Sequence, residues 1–360
     1  MGAAATKEIK HFTEFERIEV PLLHDKVVAI TGCTTGTGFI AAQCAARKGA
    51  KAILMLNRPS ERATAAELAV KEQIPKDGTL TVVETVPCDL QDLSSVQEAI
   101  RTIKSKYDKI DVLCNNAGVM AMEDVATKDG YDVQMQTNHL SHFLLTKELL
   151  PLIQKSTDGR VVNHSSVVRF GSPLKAEYFG KNGGNLGGNG NSMFLNGARW
   201  ERYVLCCWTL HYGRMLSVRP LTNFFATTVS YHQTKLANSC FTTILASKLE
   251  AAGITNVKAL CAAPGFSQTN LQTTSATNGG MGSVGKFMMV MAQSAEDGTM
   301  PLLTAMFGTN TANGDFYEPA SYGGFSGKVT KVQYDKNSSD KDQQQMLWEK
   351  SEEACGQFAI

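Results

Sequence analysis

Tyr231 and Lys235 stand four residues apart, a spacing that puts two side chains on one face of a helix. A phenol can give a proton to the oxygen of a carbonyl that is receiving hydride, or take one from an alcohol. Its ordinary pKa near ~10 makes it a poor base at neutral pH. A nearby ammonium stabilises the phenolate and would correct this. The pair predicts acid–base work at an oxygen that alternates between carbonyl and alcohol. Such work needs a hydride carrier, and the first third of the chain offers a place for one. After the apolar run Val27 to Ile30 comes Thr31-Gly32-Cys33-Thr34-Thr35-Gly36-Thr37-Gly38, leading straight into a helical pattern. Glycines let a pyrophosphate approach backbone N–H groups, and the helix N-terminus adds donors and positive potential. Gly32, Thr35, Gly36, Thr37 and Gly38 are the expected contacts. The second strand ends at Leu56-Asn57-Arg58. A carboxylate there would bind a ribose 2′-hydroxyl, whereas Arg58 attracts a 2′-phosphate, so NADP(H) is favoured over NAD(H).

These residues need a scaffold, and the order of the elements supplies one. Strand-like runs alternate with helix-like ones: Val27 to Thr31 then Gly38 to Lys48, Ala52 to Asn57 then Ser60 to Glu72, Leu80 to Cys88 then Leu93 to Lys106. A strand at Val112 to Cys114 precedes a helix from about Thr127 to Gln154, with a break expected near Asn138. Val161 to Ser165 and Val257 to Ala262 read as further strands, and Tyr231 to Ala251 and Lys341 to Cys355 as helices. The alternation predicts an α/β fold, a doubly wound parallel sheet of the Rossmann type with helices on both faces. One domain over 25–355 is expected, preceded by a leader over 1–24 that shows no clear period.

The series Gly36-x-Gly38, Asp89-Leu90, Asn115-Asn116-Ala117-Gly118, Asn138, Ser165-Ser166, Tyr231-x-x-x-Lys235 and Pro264-Gly265 resembles the short-chain dehydrogenases/reductases in type and order. Within them, Thr137-Asn138-His139-Leu140-Ser141-His142-Phe143-Leu144-Leu145-Thr146 is similar to the retinol-dehydrogenase-like branch, which is close to the protochlorophyllide reductases. The resemblance covers about 25–355 except 183–230. It implies a sheet of seven strands, NADP(H) as cofactor and hydride transfer at a carbonyl or alcohol. It places Asp89 and Leu90 by the adenine, Asn115, Ala117 and Gly118 along the cofactor wall, Tyr231 and Lys235 at the nicotinamide, Pro264 and Gly265 beside it, and Thr269 near the carboxamide or phosphate. The catalytic set it implies is Asn138, Ser166, Tyr231 and Lys235. Ser166, the family's second serine, would hold the substrate oxygen, and Asn138 would anchor the lysine and a water chain.

The segment before Tyr231 breaks the pattern. Asn182 to Asn191 holds five glycines and four asparagines, and Cys206 to Ser230 has no acidic residue and no period. Removing Val204 to Tyr231 would rejoin Tyr203 to His232-Gln233-Thr234-Lys235 and restore the motif. The segment at about 183–230 therefore reads either as an insertion or as translated intron sequence, and the transcript distinguishes them.

Composition narrows the partners. With 35 Lys and Arg against 34 Asp and Glu, there is no electrostatic case for nucleic acid. Nine scattered cysteines suit reduced thiols in a cytoplasmic compartment better than a disulfide framework, and no His/Cys spacing suggests a metal. Met1-Gly2-Ala3-Ala4-Ala5-Thr6 fits the N-myristoylation pattern, and one acyl chain would give only weak membrane-surface association. Met281, Met288, Met289 and Met291 suit an adaptable apolar pocket, so the expected partner is an apolar, retinoid- or lipid-like small molecule. Assembly as a homo-oligomer is compatible with the sequence. The alternatives are reduction of a tetrapyrrole double bond and a dinucleotide-binding scaffold without turnover.

Overall fold

The computed structural model describes residues 7–78, 80–120, 126–181, 229–267 and 292–360. Five apolar runs make the centre of its sheet: β1 (Val27–Thr31), β2 (Ala52–Asn57), β4 (Val112–Asn115), β5 (Gly159–His164) and β6 (Val257–Ala262). β1, β2 and β4 are buried along their whole length, as strands covered on both faces must be. β3 (Val82–Pro87) forms one edge, and the hairpin β7 (Phe316–Ser321) and β8 (Ser326–Val332) the other. The order is β3-β2-β1-β4-β5-β6-β7-β8, parallel except for the antiparallel β7–β8 pair.

Side-chain alternation sorts the sheet into two apolar layers. Ala29, Leu54, Leu113, Val161 and Ala259 face α4 (Leu93–Lys106), α6 (Ser141–Ile153), α7 (Val229–Ala251) and α10 (Lys341–Cys355). Val28, Ile53, Cys114, Val162 and Leu260 face α1 (Phe12–Glu19), α2 (Gly36–Arg47), α3 (Glu61–Lys71) and α8 (Ala295–Phe307). Two short helices, α5 (Val133–Met135) and α9 (Lys336–Ser339), complete the described set. Helix starts are written in the capping residues: Ser60, Asp92, Ser294 and Asp340 each accept from a backbone N–H of the first turn.

The doubly wound α/β fold is the one expected, and Ala52–Asn57, Leu93–Lys106, Val257–Ala262 and Lys341–Cys355 have the expected bounds. Three features differ. The sheet has eight strands among the described residues, not seven, because the chain turns back at Tyr322-Gly323-Gly324 and lays β8 beside β7. Part of the leader is a helix: the Asp297 carboxylate accepts the N–H groups of Lys10, His11 and Phe12, so the cap of α1 comes from α8 and was invisible to local reading. Finally, the helix expected from Thr127 begins at Val133 and passes through a π-helical turn, Gln136–Leu140, centred on Asn138, where the break was expected.

Candidate active site

The strand order reverses between β1 and β4, which opens a crevice at their carboxyl ends, the usual ligand position in such sheets. The turn after β1 lines it. Gly32 and Gly36 take φ of 71° and 65°, a region costly for any side chain. A Cβ on Gly38 would fall 2.3 Å from Asn116 Nδ2, so the helix can approach only because that residue is glycine. Asn116 is the lock of this turn. Its Nδ2 donates to the carbonyls of Thr31 (2.9 Å) and Gly32 (3.3 Å), and its Oδ1 accepts from Thr37 Oγ1 at 2.8 Å. The same Oδ1 lies 2.9 Å from His164 Nδ1, so that nitrogen carries the proton.

At the end of β2, Asn57 Oδ1 accepts from Cys33 N at 2.8 Å, while its buried Nδ2 has no hydrogen-bond partner among the described residues. An unpaired buried donor is costly, and an oxygen of a bound nucleotide would satisfy it. Arg58 follows, exposed. Asp89 closes a local turn by accepting from Gln91 N at 3.0 Å, and the Leu90 carbonyl accepts from Ser141 Oγ at 2.7 Å. A Cβ on Gly118 would lie 3.3 Å from Asn138 Oδ1 and 3.4 Å from Lys235 Nζ, so its bare backbone runs against both. Gly265 takes φ of 67° and packs against the Phe325 carbonyl. These glycines and donors fit a dinucleotide. Asn115 turns elsewhere, its Nδ2 donating to Thr146 and Asn163 inside the core. Thr269, the four methionines and 182–228 lie outside the described residues.

The first turns of α7 bring Tyr231 and Lys235 to the crevice. Both are buried, Tyr231 at 6% exposure and Lys235 at 2%. Lys235 Nζ donates to the His164 carbonyl at 3.0 Å and lies 5.4 Å from the centre of the Tyr231 ring. No ion pair to Lys235 occurs among the described residues, and burial lowers its pKa from 10.5 to about 8. For Tyr231, burial pushes the phenol well above its ordinary value, and a hydrogen bond with Ser166 works the other way. Burial therefore dominates the phenol in this structure.

The pleat separates the two serines. Ser165 Oγ, fully buried, donates to the Lys235 carbonyl and lies 2.8 Å from Ser239 Oγ, tying β5 to α7. Ser166 instead faces Tyr231 and accepts from Val168 N at 3.3 Å. Asn138 does not bond Lys235 directly. Its Oδ1 accepts from Val119 N (2.7 Å), and its Nδ2 donates to the Val119 carbonyl (3.0 Å) and to Thr234 Oγ1 (2.9 Å). Thr234 in turn donates to the Tyr231 carbonyl at 2.8 Å. Asn138 thus positions Val119 and the start of α7, and the lysine anchor is His164. Sequence reading gave no role to Asn116, His164, Thr234 or His142. The four-residue step from Asn138 to His142 was the one available signal; nothing local shows which way His164 faces.

A glycine-lined crevice at the strand reversal, with a Tyr/Lys pair closing it, defines a dinucleotide-binding α/β protein. Residues 26–179 match the short chain dehydrogenase family. Over that stretch the chain is similar to the short-chain dehydrogenases/reductases. It is 31% identical over 260 residues to retinol dehydrogenase 14 of Mus musculus, covering 69% of this chain and 64% of that protein. Among solved structures it is similar to an uncharacterized protein from Mycobacterium paratuberculosis at 29% identity and TM-score 0.65, covering 96% of this chain and 98% of the other. It also shares its fold with a short chain dehydrogenase of Shigella flexneri complexed with NADP, at 21% identity and TM-score 0.54, covering 83% of this chain and 98% of the other. The chain spans about half the length of the curated relatives it matches. No helix among the described residues is long and apolar enough to cross a membrane.

Proposed function

We propose that the chain is an NADP(H)-dependent oxidoreductase acting on the carbonyl or alcohol of an apolar, retinoid- or lipid-like small molecule. The observation that carries this reading is the Tyr231 phenol, hydrogen-bonded to Ser166 and beside a buried Lys235 that has no carboxylate partner among the described residues. The bound dinucleotide would supply or accept the hydride. Gly32, Gly36 and Gly38 leave room for its pyrophosphate, and the orphaned Asn57 Nδ2 with exposed Arg58 suits a phosphorylated ribose. Ser166 would donate to the carbonyl oxygen and polarise it. Tyr231, held protonated by burial, would give its proton to that oxygen as the carbon gains hydride. Lys235 would then stabilise the phenolate, its charge held in reach by the His164 carbonyl. The relation to retinol dehydrogenase 14 supports the substrate class, and the neighbour complexed with NADP supports the cofactor.

The test is NADPH consumption against long-chain aldehydes, ketones and retinal, with matched alcohols and NADP+ for the reverse direction. Oxidation of NADPH by at least one apolar carbonyl, abolished in Tyr231→Phe, is expected. NADPH binding with no turnover across the panel would favour a scaffold instead.

A further inference from the structure

His142 lies on α6, one turn after Asn138, and is 1% exposed. Its Nδ1 is 3.0 Å from the Asn138 carbonyl and its Nε2 is 2.9 Å from Thr31 Oγ1. A carbonyl can only accept, so the ring proton is on Nδ1 and Nε2 presents a lone pair. The Thr31 hydroxyl must then donate to His142, which leaves its oxygen to accept. It does so twice, from Asn116 N at 3.0 Å and Ala117 N at 2.9 Å. Every polar capacity in this relay is used. The loop over residues 116–119 is therefore held from two sides through one imidazole. Asn116 and Ala117 are fixed through Thr31, and Val119 is clamped by the side chain of Asn138, whose carbonyl His142 holds.

This loop carries Gly118 against Lys235 and lies under the pyrophosphate turn, where a Cβ on Gly32 would fall 2.9 Å from Ala117 Cα. We propose that His142 is a positioning residue which couples the pyrophosphate turn to the Asn138 turn, so that dinucleotide affinity depends on a side chain whose polar atoms are all engaged inside the protein. The inference rests on the dinucleotide-binding part of the reading above. Burial keeps the ring neutral by lowering its pKa to about 4, and the relay requires this, since a doubly protonated ring would remove the 2.9 Å acceptor of the Thr31 hydroxyl and leave it only the Cys114 carbonyl at 3.4 Å.

The experiment measures NADPH affinity of the full chain by fluorescence titration without substrate, alongside thermal unfolding, for His142→Leu, His142→Gln, Thr31→Val and the double variant His142→Leu/Thr31→Val. Glutamine can donate and accept at once, whereas leucine only fills space. His142→Leu should weaken NADPH binding by about 10-fold or more, from the buried groups left unpaired. His142→Gln should regain most of that loss. The double variant should bind no more weakly than Thr31→Val alone, because the two residues act as one unit. Undiminished affinity in His142→Leu, multiplicative losses in the double variant, or a glutamine variant no better than leucine would each overturn the proposal. Should His142→Leu fail to fold, Thr31→Val cuts the same relay, and unchanged affinity there overturns it as well. A wild-type chain that binds NADPH but turns nothing over removes the catalytic reading and leaves these titrations decisive. One that binds no NADPH removes both.

Discussion

Lys235 and Arg169 are both buried cations, 2% and 1% exposed, and the molecule treats them in opposite ways. Arg169 is neutralised by carboxylates. It pairs with Glu318, lies 3.3 Å from Asp335 Oδ2, and is stacked between Phe170 and Phe316 at 4.1 and 4.4 Å from their ring centres. It also donates to the Ser166 carbonyl at 3.2 Å, so this neutralised charge pins the serine turn to β7 and to the residues before α10. Lys235 has a carbonyl for a partner and no carboxylate among the described residues. A buried charge met by anions is a clamp; one left with a dipole alone has its ionisation moved toward neutral pH, which suits proton chemistry. The difference marks Arg169 as architecture and supports the proposal that Lys235 takes part in the reaction.

The contrast can be broken at four points. Tyr231→Phe should have the largest effect, lowering turnover by on the order of 10² to 10⁴, with NADPH affinity kept; wild-type turnover would remove Tyr231 from the mechanism. Arg169→Met should cost about 3–5 kcal/mol of stability in urea unfolding, because the Glu318 carboxylate is left buried without its cation. Adding Glu318→Gln to that variant should return part of the loss, and a mild effect from Arg169→Met alone would mean that the cluster is no clamp.

The third point is pH dependence. With a pKa of about 8 in the folded chain against 10.5 otherwise, Lys235 costs roughly 3 kcal/mol of stability below pH 8. Between about 8 and 10.5 the folded chain has released a proton that the unfolded chain still holds, so the penalty is relieved as pH rises. The stability of the wild type relative to Lys235→Met should therefore increase across that window. A flat or falling difference would contradict the unpaired cation. The smallest effect is expected at Arg58, where Arg58→Ala should weaken NADPH binding by about 10-fold and NADH binding far less. Equal losses would take the 2′-phosphate away from this residue.

The nucleotide half was legible because its signals are local. Continuous apolar runs, a glycine turn and capping residues lie within a few positions of the elements they define. The other half was less so. α8 contains Gly298 and Pro301, which argue against a helix by propensity. Gly298 is explained only by a distant contact, since a Cβ there would fall 1.8 Å from Ser267 Oγ. The turn before β8 uses three consecutive residues at positive φ, Tyr322, Gly323 and Gly324, and the tyrosine conceals it. In the site, motif order named Tyr231, Lys235, Ser166 and Asn138, and the structure gathers them at one crevice. Motif order did not reveal that Asn138 serves Val119 and Thr234, or that His142 and His164 fix two loops, because such partners are chosen by tertiary contact.

The contrast with Arg169 depends most on Lys235 being a buried cation with no anion among the described residues. Its titration by NMR in the isotope-labelled full chain, with the resonance assigned through Lys235→Met, reads this directly. A midpoint near pH 8 is predicted. A midpoint at 10.5 or above would show a paired or solvated ammonium and would contradict the proposed division between clamp and reactive group.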